Sequence, residues 1–132
     1  GTWKVGDKTG EKAFGKSRIE FILDECVILE NWTSQSGKYR GKSFNYYDRV
    51  SKRWHQKWID NQGIPIEFSG IYKDNVMYYT GKSTLKDGST VLYKLTFYKK
   101  SDDLVRQHWE QSKDNGKSWT SSFDGYYRRV KG

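Results

Sequence analysis

A two-residue rhythm runs along almost the whole chain. In 53–60, Trp54, Gln56 and Trp58 alternate with Arg53, His55 and Lys57. Alternation of that kind places successive side chains on opposite faces of a strand. The same period appears in 2–6, 16–23, 25–33, 40–49, 64–72, 76–82, 89–98, 103–111 and 118–129. Clusters of Gly, Asp, Asn, Ser and Lys separate these runs. Asp74-Asn75, Lys86-Asp87-Gly88 and Asp114-Asn115-Gly116 carry hairpin-turn chemistry. No segment holds a sustained 3.6-residue apolar stripe, and 6–14 has room for one helical turn at most. The reading is all-β: about ten strands in an antiparallel meander.

An open sheet of that many strands would leave unpaired edges, and closing it into a barrel removes them. A sandwich normally needs longer crossover connections than this chain offers. With 132 residues, the expectation is one barrel domain over 1–132. Leu, Ile, Val and Phe make up only about a fifth of the chain, a share that borders on disordered composition. The 6 Trp, 10 Tyr and 6 Phe offset it. Each ring can bury roughly 150–250 Å², so the interior is expected to be aromatic.

The net charge of +8 would attract anionic surfaces, nucleic acids included. The lysines are dispersed and concentrate in turns, which reads as a solvated exterior, so nucleic acid is not expected as a partner. One cysteine, Cys26, excludes an intrachain disulfide. No run approaches the ~18 apolar residues of a membrane-spanning helix, so membrane insertion is not expected. No signal-peptide pattern is visible. The chain opens inside a strand-like run, as expected where a leader or first segment has been removed. Oligomeric state and compartment are not encoded in any pattern found.

Gly10–Ser17 matches the phosphate-binding pattern G-x-x-x-x-G-K-[ST]. That pattern works only where the loop feeds a helix. Here the following residues, Arg18–Leu23, alternate like a strand, and Gly-Lys-Ser recurs at 41–43, 81–83 and 116–118 as turn material. Ser112–Trp119 matches the Asp-box, S-x-D-x-G-x-[ST]-W, and is expected to form the hairpin joining the last two strands. Two histidines and one cysteine match no zinc spacing. His108 is read as a hydrogen-bonded structural residue rather than a haem ligand. No cofactor is expected.

Faces follow from the alternation. Trp54, Gln56 and Trp58 oppose the charged face of 53–60. Ser43, Asn45 and Tyr47 share one face of 40–49, and Cys26, Ile28, Glu30 and Trp32 share one face of 25–33. In 103–111, Leu104, Arg106, His108 and Glu110 oppose Val105, Gln107, Trp109 and Gln111, and both faces are mixed. Burying polar groups costs free energy unless each finds a partner. Polar and aromatic residues together on inner faces therefore point to a lined cavity or to a self-satisfied network.

The opening Gly1-Thr2-Trp3 resembles the Gly-x-Trp of the first strand in lipocalins and fatty-acid-binding proteins. That resemblance implies a basic residue from the last strand packed on the ring, a part open to Arg128 or Arg129 through a cation–π contact. Further segments occur in a matching order: Glu30-Asn31-Trp32, Gly41-Lys42-Ser43, Tyr47-Asp48, Trp54–Asp60, Val105-Arg106-Gln107, Glu110-Gln111-Ser112, then the Asp-box and Phe123-Asp124. Together they resemble an uncharacterised bacterial family of lipocalin-like barrels. The resemblance implies the fold and carries no substrate or catalytic residue. The helix pair between the first two strands of fatty-acid-binding proteins has no counterpart here.

The expected function is small-molecule binding inside a lipocalin-like barrel, the ligand being anionic or aromatic. Glu30, Trp32, Asn45, Tyr47, Gln56, Trp58, Arg106 and Glu110 are the candidate lining. Arg106 would orient an anionic group, and Trp32 and Trp58 would form apolar walls. The alternative is an acid/base isomerase, cyclase or lyase with Glu30 or Glu110 as the base and Arg106 beside them.

Overall fold

The computed structural model describes residues 1–131. Ten antiparallel strands follow one another: β1 (Thr2–Gly6), β2 (Ala13–Ile22), β3 (Val27–Ser34), β4 (Arg40–Asp48), β5 (Arg53–Asp60), β6 (Ile66–Lys73), β7 (Val76–Thr84), β8 (Thr90–Ser101), β9 (Leu104–Ser112) and β10 (Thr120–Arg129). Each pairs with the next, and β1 pairs with both β2 and β10, which closes the barrel. The all-β meander and its closure are as the sequence predicts, and the described residues contain no helix. The architecture is consistent with a lipocalin-like fold. None of the described residues forms a helix long and apolar enough to cross a membrane.

The turns explain the register. Asp74 and Asn75 both take left-handed backbone, φ 53° and 64°, as a two-residue hairpin demands. Between β2 and β3 the sequence predicts nearly abutting strands. Instead Leu23, Asp24 and Glu25 take successive left-handed conformations, φ 52°, 54° and 68°, and 23–26 forms the turn that also carries exposed Cys26. At the Asp-box, the Asp114 carboxylate accepts from Ser112 Oγ and Ser118 N, both at 2.8 Å, and from Ser118 Oγ. These donors, with the Ser118 hydroxyl first, hold the Asp114 carboxyl down at about 2. The motif is the β9–β10 hairpin, and Lys94 lies 4.1 Å over the Trp119 ring.

Closure of β1 onto β10 sets Trp3 opposite Arg129. The Arg129 guanidinium sits 4.4 Å from the Trp3 ring centroid, so Arg129 makes the cation–π contact. Arg128 points outward and donates to the carbonyls of Asp7 at 3.1 Å and Lys8 at 2.6 Å. Inside, aromatic rings replace aliphatics. Phe68 meets Trp109 edge to face at 5.4 Å, Tyr79 meets Phe97 the same way at 6.3 Å, and Leu95 is fully buried beside them.

Candidate functional site

Strand alternation carries a belt of polar side chains around the barrel's waist. Ile19 of β2 pairs with Glu30 of β3, and Glu30 pairs with Ser43 of β4. Asn45 of β4 then pairs with Gln56 of β5. Gln107 of β9 and Tyr127 of β10 complete the belt from the other side.

Glu30 is buried at its centre. Its Oε2 accepts from Ser17 Oγ at 2.8 Å and from Tyr127 Oη at 3.0 Å, and its Oε1 accepts from Ser43 Oγ at 3.1 Å. Among the described residues no cationic side chain forms an ion pair with Glu30. Isolated buried charge is costly, and three hydroxyl donors offset part of that cost. Burial pushes the Tyr127 phenol well above its ordinary range, and the Glu30 charge adds to the shift.

The amides on either side are fixed by what they touch. Asn45 Nδ2 donates to the Ile28 carbonyl at 3.3 Å and to Ser43 Oγ at 3.0 Å. That turns Asn45 Oδ1 toward Gln56 Nε2, 2.8 Å away, and toward Tyr79 Oη, 3.3 Å away. Burial raises the Tyr79 phenol as well.

Two cavities meet at this belt. One, of about 340 Å³, runs toward the β6–β7 turn and includes Trp3, Trp54, Met77, Phe97 and Lys99 in its lining. The other, of about 530 Å³, runs toward the β3–β4 turn between Phe14, Trp32, Tyr39, Trp58, Trp109 and Phe123. Glu30, Gln56 and Tyr127 line both. Their volumes fall in the range of small-molecule sites, about 300–1,000 Å³. In the larger cavity, the Tyr39 hydroxyl donates to Asp60 Oδ2 at 2.9 Å. Burial first, then Asp60, pushes that phenol up to about 12.

Two glycines make the tryptophan walls possible. A Cβ on Gly15 would stand 2.9 Å from Trp32 Cη2, and one on Gly41 would overlap Trp58 Cζ2 and Cη2. The Cζ2–Cη2 edge of each indole approaches backbone that carries no side chain.

Five of the eight residues singled out from the sequence therefore line a cavity: Glu30, Asn45, Gln56, Trp32 and Trp58. Tyr47 lies on the same face of β4 but sits exposed at the end of the strand, edge-on to Trp54 at 5.7 Å, outside both linings. Arg106 and Glu110 require correction, because β9 turns that face outward. Gln107 pairs with Gly125 and Phe97 and points in. Arg106 instead clamps Asp124 with two bonds of 2.8 Å, with its guanidinium 5.3 Å from the Tyr98 ring centroid. Glu110 lies 3.9 Å from His108 Nδ1 on the same outer face, where His108 Nε2 meets Ser121 Oγ at 3.1 Å. The carboxylate pair behind the acid/base alternative is thus split between inside and outside. Arg106 cannot orient an anion in the lumen. Among the described residues no cluster of metal-ligating side chains forms.

Sequence reasoning missed Ser17, Ser43, Gln107 and Tyr127 as site residues. Tyr127 was within reach of inference: once Arg129 covers Trp3, alternation turns Tyr127 inward too. For Gln107 nothing in β9 itself breaks the tie between two mixed faces. Comparison with protein-family models and with curated proteins gave no match to this chain.

Proposed function

We propose that this chain, acting as one lipocalin-like domain, is a binding protein that holds a small molecule inside its barrel. The observation that carries the reading is the position of Glu30. An acidic side chain with no cationic partner among the described residues sits at the junction of two aromatic cavities, where burial is costly and no ion pair offsets it. The strand order and the Trp3–Arg129 closure support membership of the bacterial lipocalin-like family that the sequence resembles. With Glu110 outside, the proton-transfer alternative retains one of its two candidate bases, Glu30, and the binding reading accounts for the site without it.

The test is titration with a neutral solvatochromic dye, Nile red, followed by dye emission and by quenching of the cavity tryptophans. The reading predicts saturable binding with one dye per chain. Linear, non-saturating emission with no tryptophan quenching would contradict it.

A further inference from the structure

We infer that the larger cavity takes a protonated amine or amidinium carried on an aromatic body, with the cation set against Glu30. This deepens the binding reading above and rests on it. The argument is a count of which hydrogen-bonding valences the protein leaves open.

A carboxylate offers about four acceptor directions. Ser17, Ser43 and Tyr127 fill three of those on Glu30, and the open one is on Oε1. Asn45 is anchored to the Ile28 carbonyl, so it presents Oδ1 and obliges Gln56 to face it with Nε2. Gln56 Oε1 then has no partner among the described residues. Every fully inaccessible side-chain polar atom described does have one, so this oxygen is accessible at the junction of the two cavities that Gln56 lines.

The Tyr127 hydroxyl lies 3.0 Å from Glu30 Oε2 and 2.8 Å from Gln107 Oε1, so both of those acceptors are occupied by the phenol. The acceptor valences left open at the belt are Glu30 Oε1 and Gln56 Oε1.

A site with acceptors and a negative charge selects a ligand that brings donors and a positive charge. The walls agree. No Lys, Arg or His lines the larger cavity, whereas Lys99 lines the smaller one. Trp32, Trp58 and Trp109 line it, and indole is the side chain that attracts organic cations best. The anionic ligand expected from the sequence depended on Arg106, which is outside.

The test is calorimetry on the full chain with three probes of one shape: naphthylethylamine, naphthylethanol and naphthylacetate. The amine is expected to bind about 10-fold or more tighter than the alcohol, as a charge-assisted bond implies, and the acetate weakest of all. Glu30→Gln should bring amine and alcohol to within about 2-fold of each other, because it keeps the shape and removes the charge. If Glu30→Gln loses the wild-type far-ultraviolet spectrum, Gln56→Met serves instead, and it should weaken the amine about 3-fold or more while sparing the alcohol. Equal binding of amine and alcohol to the wild type would overturn the inference and leave the binding reading standing. So would failure of all three probes where Nile red binds. Failure of the probes and of Nile red together would sink both.

Discussion

Tyr127 donates its phenolic proton to Glu30 Oε2 at 3.0 Å, across 97 positions of sequence and past two intervening strands. This bond ties the last strand to the third through the middle of the barrel. It also supplies one of only three donors to a buried carboxylate, so its removal should be felt both in stability and in the site.

Tyr127→Phe leaves Glu30 with two donors and a desolvated lone pair. The expected loss is on the order of 1–3 kcal/mol in urea denaturation, the usual cost of an unpaired buried acceptor. In Glu30→Gln the same Tyr127 substitution should cost less, so the double-mutant cycle should be non-additive. Additive losses would mean that the two side chains do not act as a unit.

Alkaline pH should expose the three raised phenols. Tyr39 is held at about 12, and burial pushes Tyr79 and Tyr127 up as well, from an ordinary value of 10.0. The unfolded chain therefore loses these protons first. Stability is fully present below the ordinary tyrosine range and is lost as pH rises through it toward the folded values. A phenolate absorbance titration should show these tyrosines ionising only with unfolding, and Tyr127→Phe should remove one of them from that late phase.

Gly41→Ala should strain the wall of the larger cavity, because a methyl group there overlaps the Trp58 ring. Overpacking of this kind costs about 1–3 kcal/mol, and it should shift Trp58 emission as the indole moves. Gly37, where an added Cβ meets nothing within 4 Å, offers a comparison in which backbone conformation (φ 76°) is the remaining source of strain. An unchanged emission spectrum in Gly41→Ala would contradict the close packing of ring on glycine.

Arg106→Gln separates the outer face from the inner one. The Arg106–Asp124 clamp is partly solvated, so its loss should cost no more than about 1 kcal/mol, and less at high salt. Binding of naphthylethylamine should be unchanged. A binding defect in this variant would show that the outer face of β9 communicates with the cavities.

The strands and most of their faces were legible because their two faces differ sharply in chemistry. Trp54, Gln56 and Trp58 against Arg53, His55 and Lys57 leaves no doubt which side meets water. In β9 both faces carry a charged or polar residue beside an apolar one, and the choice is made by pairing with Phe97 and Gly125, which no local pattern reports. For Ser17 and Ser43 the gap is different. Alternation puts Ser43 on the face of Asn45, and Ser17 falls in the strand run 16–23, but nothing in the pattern marks either hydroxyl as a donor to the Glu30 carboxylate. What the pattern of residues could not convey is which donors converge on one acid from β2, β4 and β10.

The most direct test is a two-dimensional NMR titration of the labelled protein with naphthylethylamine, following side-chain signals. The account predicts progressive shifts of the Gln56 and Gln107 amide groups and of the Trp32 and Trp58 indole N–H, with the Trp119 indole on the Asp-box hairpin unmoved. Shifts confined to Trp119, His108 and other outward residues, with the inner amides unchanged, would contradict it.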